Sequence, residues 1–198
     1  MLKRVFDFLS SLVGLLMLLP ILIIVAMLIK LDSAGPVFYR QARVGQLGVL
    51  FRIHKFRTMT VNSDVNGRLT IGGADPRITR VGYFLRKYKI DELPQLIDVL
   101  YGKMSLVGPR PEVQEFVDCY PPDIRTKVLS IRPGITDKAS IEMVDESDIL
   151  AAYENPRQAY IDVILPIKLK YYVEYVEQQS FFSDLGIIFS TFKKIIVR

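Results

Sequence analysis

Residues 12–29 carry no charge, and Lys3 and Arg4 stand just ahead of them. As a helix that run is about 27 Å long at about 1.5 Å per residue, close to the ~30 Å hydrocarbon layer of a bilayer. Lys30-Leu31-Asp32 leads on with no small-x-small cleavage site, which argues against a signal peptide. Two membrane readings remain, a full span and a re-entrant hairpin. Pro20 lies mid-run and is expected to break or kink the helix. Cations flank both ends: Lys3 and Arg4 before, then Lys30, Arg40, Arg43, Arg52, Lys55 and Arg57 after. Positive charge prefers the cytoplasmic side at both ends, which a single span cannot satisfy, so the re-entrant helix-break-helix is favoured.

Beyond Asp32 the pattern is that of a globular domain. Val37-Phe38-Tyr39 and residues 49–53 predict short strands joined through Gly45 and Gly48, and Lys55-Phe56-Arg57-Thr58-Met59 puts two cations on one side of an extended chain. Residues 61–75 are polar and Gly-rich and predict a surface loop. Residues 79–88 predict a helix whose apolar side is Val81, Phe84 and Leu85. Leu93, Leu96, Ile97 and Leu100 predict another, with Pro94 in its first turn and Gly102 as its stop. Helical patterning continues over 112–129, interrupted at Pro121-Pro122, and over the acidic 142–154. It returns over 153–179, where Pro166 starts a helix, and over 181–198, where a one-sided apolar stripe ends in Lys193, Lys194 and Arg198. That last pattern suits a helix on an anionic membrane as well as one closing a core. Gly108-Pro109-Arg110-Pro111 and Arg132-Pro133-Gly134-Ile135-Thr136 read as rigid turns, each presenting an arginine.

The second helix places Asp91-Glu92 at its start, where unpaired N–H groups favour a carboxylate or phosphate. Standing alone, Asp91 reads as an N-cap and Glu92 as a first-turn acid. Charge changes the picture. Residues 1–110 hold 16 Lys and Arg against 7 Asp and Glu, whereas residues 111–198 hold 10 against 14. The basic half faces an anionic partner: lipid headgroups, nucleotide phosphates or nucleic acid. Half of the 198 residues are hydrophobic, more than a soluble domain needs and fewer than a polytopic membrane protein has. The single cysteine, Cys119, excludes an internal disulfide, and the single histidine, His54, argues against a multi-His metal site and Ser-His-Asp chemistry. Carboxylates, arginines and lysines are left to carry any reaction.

In this order, behind an apolar N-terminus, Lys55-Phe56-Arg57-Thr58-Met59, Arg86 followed by Asp91-Glu92-Leu93-Pro94-Gln95-Leu96, Gly108-Pro109-Arg110-Pro111 and Arg132-Pro133-Gly134-Ile135-Thr136 resemble the bacterial sugar transferase family. These are the monotopic phosphoglycosyl transferases that begin lipid-linked glycan synthesis. The resemblance implies transfer of a sugar 1-phosphate from a nucleotide sugar, usually a UDP-sugar, to a polyprenyl phosphate such as undecaprenyl phosphate, with UMP leaving and Mg2+ required. It implies Asp91 as the nucleophile and Glu92 as its partner at the metal or the incoming phosphate. Arg86, Arg110, Lys55 and Arg57 are expected to clamp the phosphates, with Arg132 a further candidate.

The expected fold is α+β and mostly helical: a re-entrant anchor over residues 1–30 and a small cytoplasmic-face catalytic domain over 31–198, ending in an amphipathic interfacial helix. The expected setting is the bacterial inner membrane. The expected partners are a nucleotide sugar, a polyprenyl phosphate, membrane lipids and a second copy of the chain as a homodimer, without nucleic acid. The chain looks like the minimal catalytic part of the family. It departs from many members at Asp137-Lys138-Ala139-Ser140, where they carry Gly-Trp with Gln and Asn nearby, and it has no Trp, which leaves the sugar open. The competing reading is a non-catalytic, membrane-associated anion binder or assembly partner in which Asp91 and Glu92 only cap a helix.

Overall fold

The computed structural model describes residues 2–61, 75–143 and 145–196. Helix α1 spans Leu2–Asp32, and Pro20 lies inside it. The expected pair of helices separated at Pro20 is therefore corrected to one helix that contains a proline. Proline removes one backbone bond and costs ~3 kcal/mol in a helix interior. Packing on both sides of Pro20 opposes that loss. The buried positions Asp7, Ser11, Val25 and Ile29 recur at intervals that place all four within about 40° of one another on a 3.6-residue helix. The opposite face, from Leu2 through Leu16, Met17 and Ile24 to Leu31, is exposed. By length and composition α1 is able to cross a membrane.

Short strands follow: β1 (Phe38–Tyr39), β2 (Ala42–Val44), β3 (Leu50–Arg52) and β4 (Lys55–Phe56). β2 and β3 form an antiparallel hairpin across Gly45 and Gly48, and β1 pairs antiparallel with β4. The predicted loop at 61–75 lies, except at its two ends, outside the described residues. Helix α2 (Arg80–Lys87) is capped by Thr79, whose side chain accepts from the Gly82 amide. A 3-10 segment, Ile90–Gln95, leads into α3 (Leu96–Leu100), and Gly102 at φ 75° ends it, as its sequence predicts.

β5 (Ser105–Val107) is paired in parallel by β6 (Gly134–Thr136), so the second expected rigid turn is a strand from Gly134 onward. Between them lie α4 (Gln114–Val117) and α5 (Pro122–Val128), separated at the two prolines as expected. Of the acidic stretch expected to be helical over 142–154, α7 (Glu146–Ala151) is the helix, and a separate short helix, α6 (Lys138–Glu142), precedes it. α8 (Pro156–Ala159) continues through a π-helical stretch, Tyr160–Ile164, into α9 (Leu165–Gln178), with Pro166 in its first turn. α10 (Phe181–Ile196) closes the chain.

Three apolar clusters hold these pieces together. The largest joins Val44 to Phe116, Tyr160, Leu165 and Tyr172 of the C-terminal helices. The second joins Val25 and Ile29 of α1 to Phe56 and Leu85, with Val81 and Ile90 packed against it. The third joins Phe51 and Ile53 to Val99 and Met104. The fold is α+β and mostly helical.

Candidate active site

Tyr88 ends α2, and the chain reverses through Lys89, whose φ of 57° is left-handed. A non-glycine residue held there costs of order 1–3 kcal/mol, and such positions cluster at functional sites. The reversal delivers Asp91 and Glu92 into the 3-10 segment with both side chains turned inward: they are 2% and 8% exposed. The capping role that a local reading gives Asp91 is corrected here. Lys89 occupies the N-cap position and no side chain caps this segment.

Lys55 at the start of β4 bridges the pair, with its Nζ 2.9 Å from Asp91 Oδ2 and 3.1 Å from Glu92 Oε1. Arg110, fixed between two prolines after β5, grips Glu92 with both amino groups: Nη1 donates to Oε2 at 3.1 Å and Nη2 donates to Oε1. Burial opposes ionisation of Glu92, but Arg110, Lys55 and Lys89 together outweigh it and hold its carboxyl well below the usual carboxylate range. The same pairing pushes the Arg110 guanidinium up, against the effect of its own burial. Arg86 reaches in from the last turn of α2, donates its Nε to Thr58 Oγ1 at 2.8 Å, and its charge acts on Asp91.

One atom of the site stands apart. Asp91 Oδ1 is buried and has no hydrogen-bond partner. Leaving a buried acceptor unsatisfied costs about 1–3 kcal/mol, so such an atom calls for an explanation in function. The cations are the outer layer: the Lys55 and Arg110 side chains are 23% and 27% exposed, against 2% and 10% for the carboxylates. The site therefore shows an approaching anion more of its cations than of its carboxylates.

The sequence model of the bacterial sugar transferase family matches residues 1–198. The chain belongs to this family. It is 37% identical over 196 residues to a UDP-N-acetylgalactosamine-undecaprenyl-phosphate N-acetylgalactosaminephosphotransferase of Aeromonas hydrophila, covering 98% of this chain and 43% of that protein. It is 36% identical over 194 residues to the UDP-glucose:undecaprenyl-phosphate glucose-1-phosphate transferase of Escherichia coli K12, covering 96% and 39%. It is 34% identical over 206 residues to the exopolysaccharide production protein ExoY of Rhizobium meliloti, covering 96% and 84%. The chain thus spans about two-fifths of the first two relatives and most of the third.

Within this sugar transferase fold, five of the seven predicted site residues stand together: Asp91, Glu92, Lys55, Arg86 and Arg110. The other two are bonded elsewhere. Arg57 is 5% exposed and directs Nη1 to the Ala34 carbonyl and Nη2 to the Ser33 carbonyl at 2.8 Å, so it ties down the turn after α1. Arg132 is exposed and donates Nε to the Gly102 carbonyl at 2.8 Å, fastening the end of α3 to the start of β6.

The structure adds residues that local patterns do not reveal. Asp98, wholly buried, accepts from the His54 amide at 2.7 Å and lies 2.8 Å from its Nδ1, locking α3 onto the strand that supplies Lys55. Behind Pro111, Glu112 accepts from Tyr160 at 2.6 Å and pairs with Lys168 and Arg43, and Arg43 also donates to the Pro111 carbonyl at 3.0 Å. Burial opposes the charge on Glu112, but Lys168 and Arg43 more than offset it and hold its carboxyl below the usual range. Position 112, directly after the Pro-Arg-Pro run, was the one sequence hint. Asp137 is pushed up by burial and caps α6 through the Ser140 amide, with Arg110 and Lys168 acting against the rise.

Among the described residues no three His, Cys, Asp or Glu side chains group as a metal site. The pair Asp91 and Glu92 still fits Mg2+, which commonly takes one or two carboxylates and completes its shell with substrate phosphates and water. The unpartnered Asp91 Oδ1 is a hard oxygen donor of the kind that ion prefers.

Proposed function

We propose that the chain transfers a sugar 1-phosphate from a UDP-sugar to undecaprenyl phosphate by way of an aspartyl phosphosugar, releasing UMP. The observation that carries this reading is the buried, unpartnered Oδ1 of an aspartate whose other oxygen is held by Lys55. Its relatives from A. hydrophila and E. coli are named for a UDP-sugar and undecaprenyl phosphate.

Asp91 Oδ1 attacks the phosphorus that carries the sugar, and the bond between that phosphorus and the bridging oxygen breaks. The bridging oxygen leaves with UMP, and the sugar phosphate remains as an ester of Asp91. A phosphate oxygen of the lipid acceptor then attacks the same phosphorus. The Asp91 carboxylate is released, and a prenyl diphosphosugar forms with no net proton taken up in either transfer.

Lys55 holds the second Asp91 oxygen, which aims the first. Arg110 and Arg86 neutralise the diphosphate, and the charge they meet grows as the leaving oxygen develops. Glu92 keeps Arg110 and Lys55 in place until the donor phosphates compete for them. Asp91 and Glu92 would hold Mg2+, which would supply charge neutralisation at the leaving group.

For the membrane we propose that α1 bends at Pro20 without being interrupted, so that it enters one leaflet and returns, with the catalytic residues on the cytoplasmic face of the inner membrane. Both ends of the helix are bound to the same body: Lys3, Arg4 and Asp7 at the start, and Asp32, which accepts from the Val81 amide at 3.0 Å, at the end. α10 turns Phe182, Phe189 and Phe192 outward beside Lys193 and Lys194, a pattern suited to an anionic interface.

The deciding experiment measures UMP release from a panel of UDP-sugars with undecaprenyl phosphate. Wild-type protein is expected to turn over at least one of them, and Asp91→Asn to lose turnover while remaining in the membrane fraction. Undiminished turnover by Asp91→Asn would remove the covalent mechanism. No turnover of any donor by wild-type protein would favour the non-catalytic anion binder.

A further inference from the structure

The polar residues at the start of α1 do not reach outward to water or lipid; they reach into the folded domain. Arg4 donates Nη1 to the Val99 carbonyl at 2.6 Å and Nη2 to the Leu100 carbonyl at 2.8 Å, so it caps the C-terminal end of α3. Asp7, 3% exposed, accepts from Ser105 Oγ at 2.8 Å and from the Leu106 amide at 3.2 Å. Lys3 donates to the Val107 carbonyl at 3.1 Å and pairs with Asp184 of α10. At Gly14 α1 runs beside α3: a Cβ there would meet Leu96 at 3.4 Å, an ordinary packing contact.

The second half of the helix repeats the arrangement with apolar groups. Val25 and Ile29 pack with Phe56, next to Lys55, with Leu85, next to Arg86, and with Ile90, next to Asp91. Every segment that supplies a residue to the site therefore has its neighbour held by α1: β4, α2, the 3-10 segment with α3, and β5 leading to Arg110.

From this we infer that α1 is the scaffold on which the active site is assembled, with Arg4 and Asp7 as positioning residues for Asp91, Glu92 and Arg110. The inference rests on the transferase reading above. An anchor acting only as a tether would be exchangeable for any equally apolar helix. A scaffold is not exchangeable, because its effect depends on which residues face the domain. Misplacing reacting groups by about 1 Å is enough to slow a reaction by up to ~100-fold.

The test replaces the lipid-facing residues of α1 with leucine in two chimeras of equal composition. In one, Lys3, Arg4, Asp7, Ser11, Gly14, Val25 and Ile29 keep their positions; in the other, the same set is shifted by one residue, which turns it about 100° around the helix. Both are expected in the membrane fraction. The in-register chimera is expected to retain kcat for UMP release within a few-fold, and the shifted one to lose about tenfold or more, with a smaller change in KM for the donor. Arg4→Ala is expected to fall in the same direction and Arg4→Lys to recover part of the rate.

Hydrogen exchange over residues 96–107 gives a readout that does not need turnover: faster exchange is expected in Arg4→Ala and in the shifted chimera. Equal kcat and equal exchange in the two chimeras would overturn the inference. Absence of activity in the wild type would instead count against the transferase reading, and the exchange comparison would still decide the scaffold.

Discussion

Glu92 has little to do with the helix start it occupies and a great deal to do with Arg110. Its carboxyl, depressed below the ordinary value of 4.5, contributes stability that is fully present above that value and is lost as pH falls through its folded value. Glu92→Gln is therefore expected to destabilise the protein at neutral pH by leaving Arg110 unpaired, and the deficit relative to wild type should close only below pH 4.5. The loss should be smaller than the ~3–5 kcal/mol of a fully buried pair, because Arg110 is 27% exposed. Urea unfolding of detergent-solubilised protein across pH measures it, and a deficit that persists unchanged at low pH would contradict the pairing. At this scale the sequence was informative where charge had to accumulate. Lys55, Arg86 and Arg110 could be marked as cations for a shared anion, because Asp91-Glu92 among so many positive groups invites one. Arg57 and Arg132 carried the same signal but bind backbone carbonyls of residues 33, 34 and 102. Local sequence gives no sign of which carbonyls will need a donor after folding.

At the scale of elements, the parallel pair β5 and β6 determines where Arg110 stands. Gly108 donates its amide to the Thr136 carbonyl at 3.1 Å, and Gly134 donates its amide to the Pro109 carbonyl at 2.9 Å. A Cβ on Gly134 would fall within contact distance of the Gly108 backbone, so the two strands meet where neither has a side chain. Gly134→Ala is expected to push the strands apart, at ~1–3 kcal/mol or more, and to lower activity through the displaced Arg110. Thermal unfolding and UMP release measure the two effects, and a variant unchanged in both would show that the strands can yield there. β6 was misread as a turn because three residues beginning with glycine, after Arg-Pro, satisfy every local criterion for one. Its partner lies 29 residues earlier in register, and no local periodicity carries that pairing. The long helices α1, α9 and α10 were legible because their patterns run over many turns. The break at Pro20 was overstated, because the packed stripe on both sides of the proline is visible only after folding.

For the whole molecule, α1 is about 46 Å long at about 1.5 Å per residue, and parts of the charged domain lie alongside it. A helix crossing the bilayer upright would draw the α3 and β5 segments bonded to Arg4 and Asp7 into or across the hydrocarbon, where a charge costs ~2.5 kcal/mol or more. Tags at the N-terminus and after residue 32 are therefore expected on the same side of the membrane. Labelling of both tags in intact and permeabilised cells checks this, and opposite accessibility would establish a true span.

The docking of α1 also sets an order of events during synthesis. The helix is made before the residues it binds: the carbonyls that Arg4 meets belong to residues 99 and 100, and the carboxylate that Lys3 meets belongs to Asp184. At ribosomal speeds of ~5–20 residues per second, the stretch of chain between Arg4 and its partners takes roughly 5–20 s to make, and Asp184 follows later still. Until residues 99–107 are made, Lys3, Arg4 and Asp7 have none of these partners, so the side chains that later become internal fasteners are still free to bind water or headgroups.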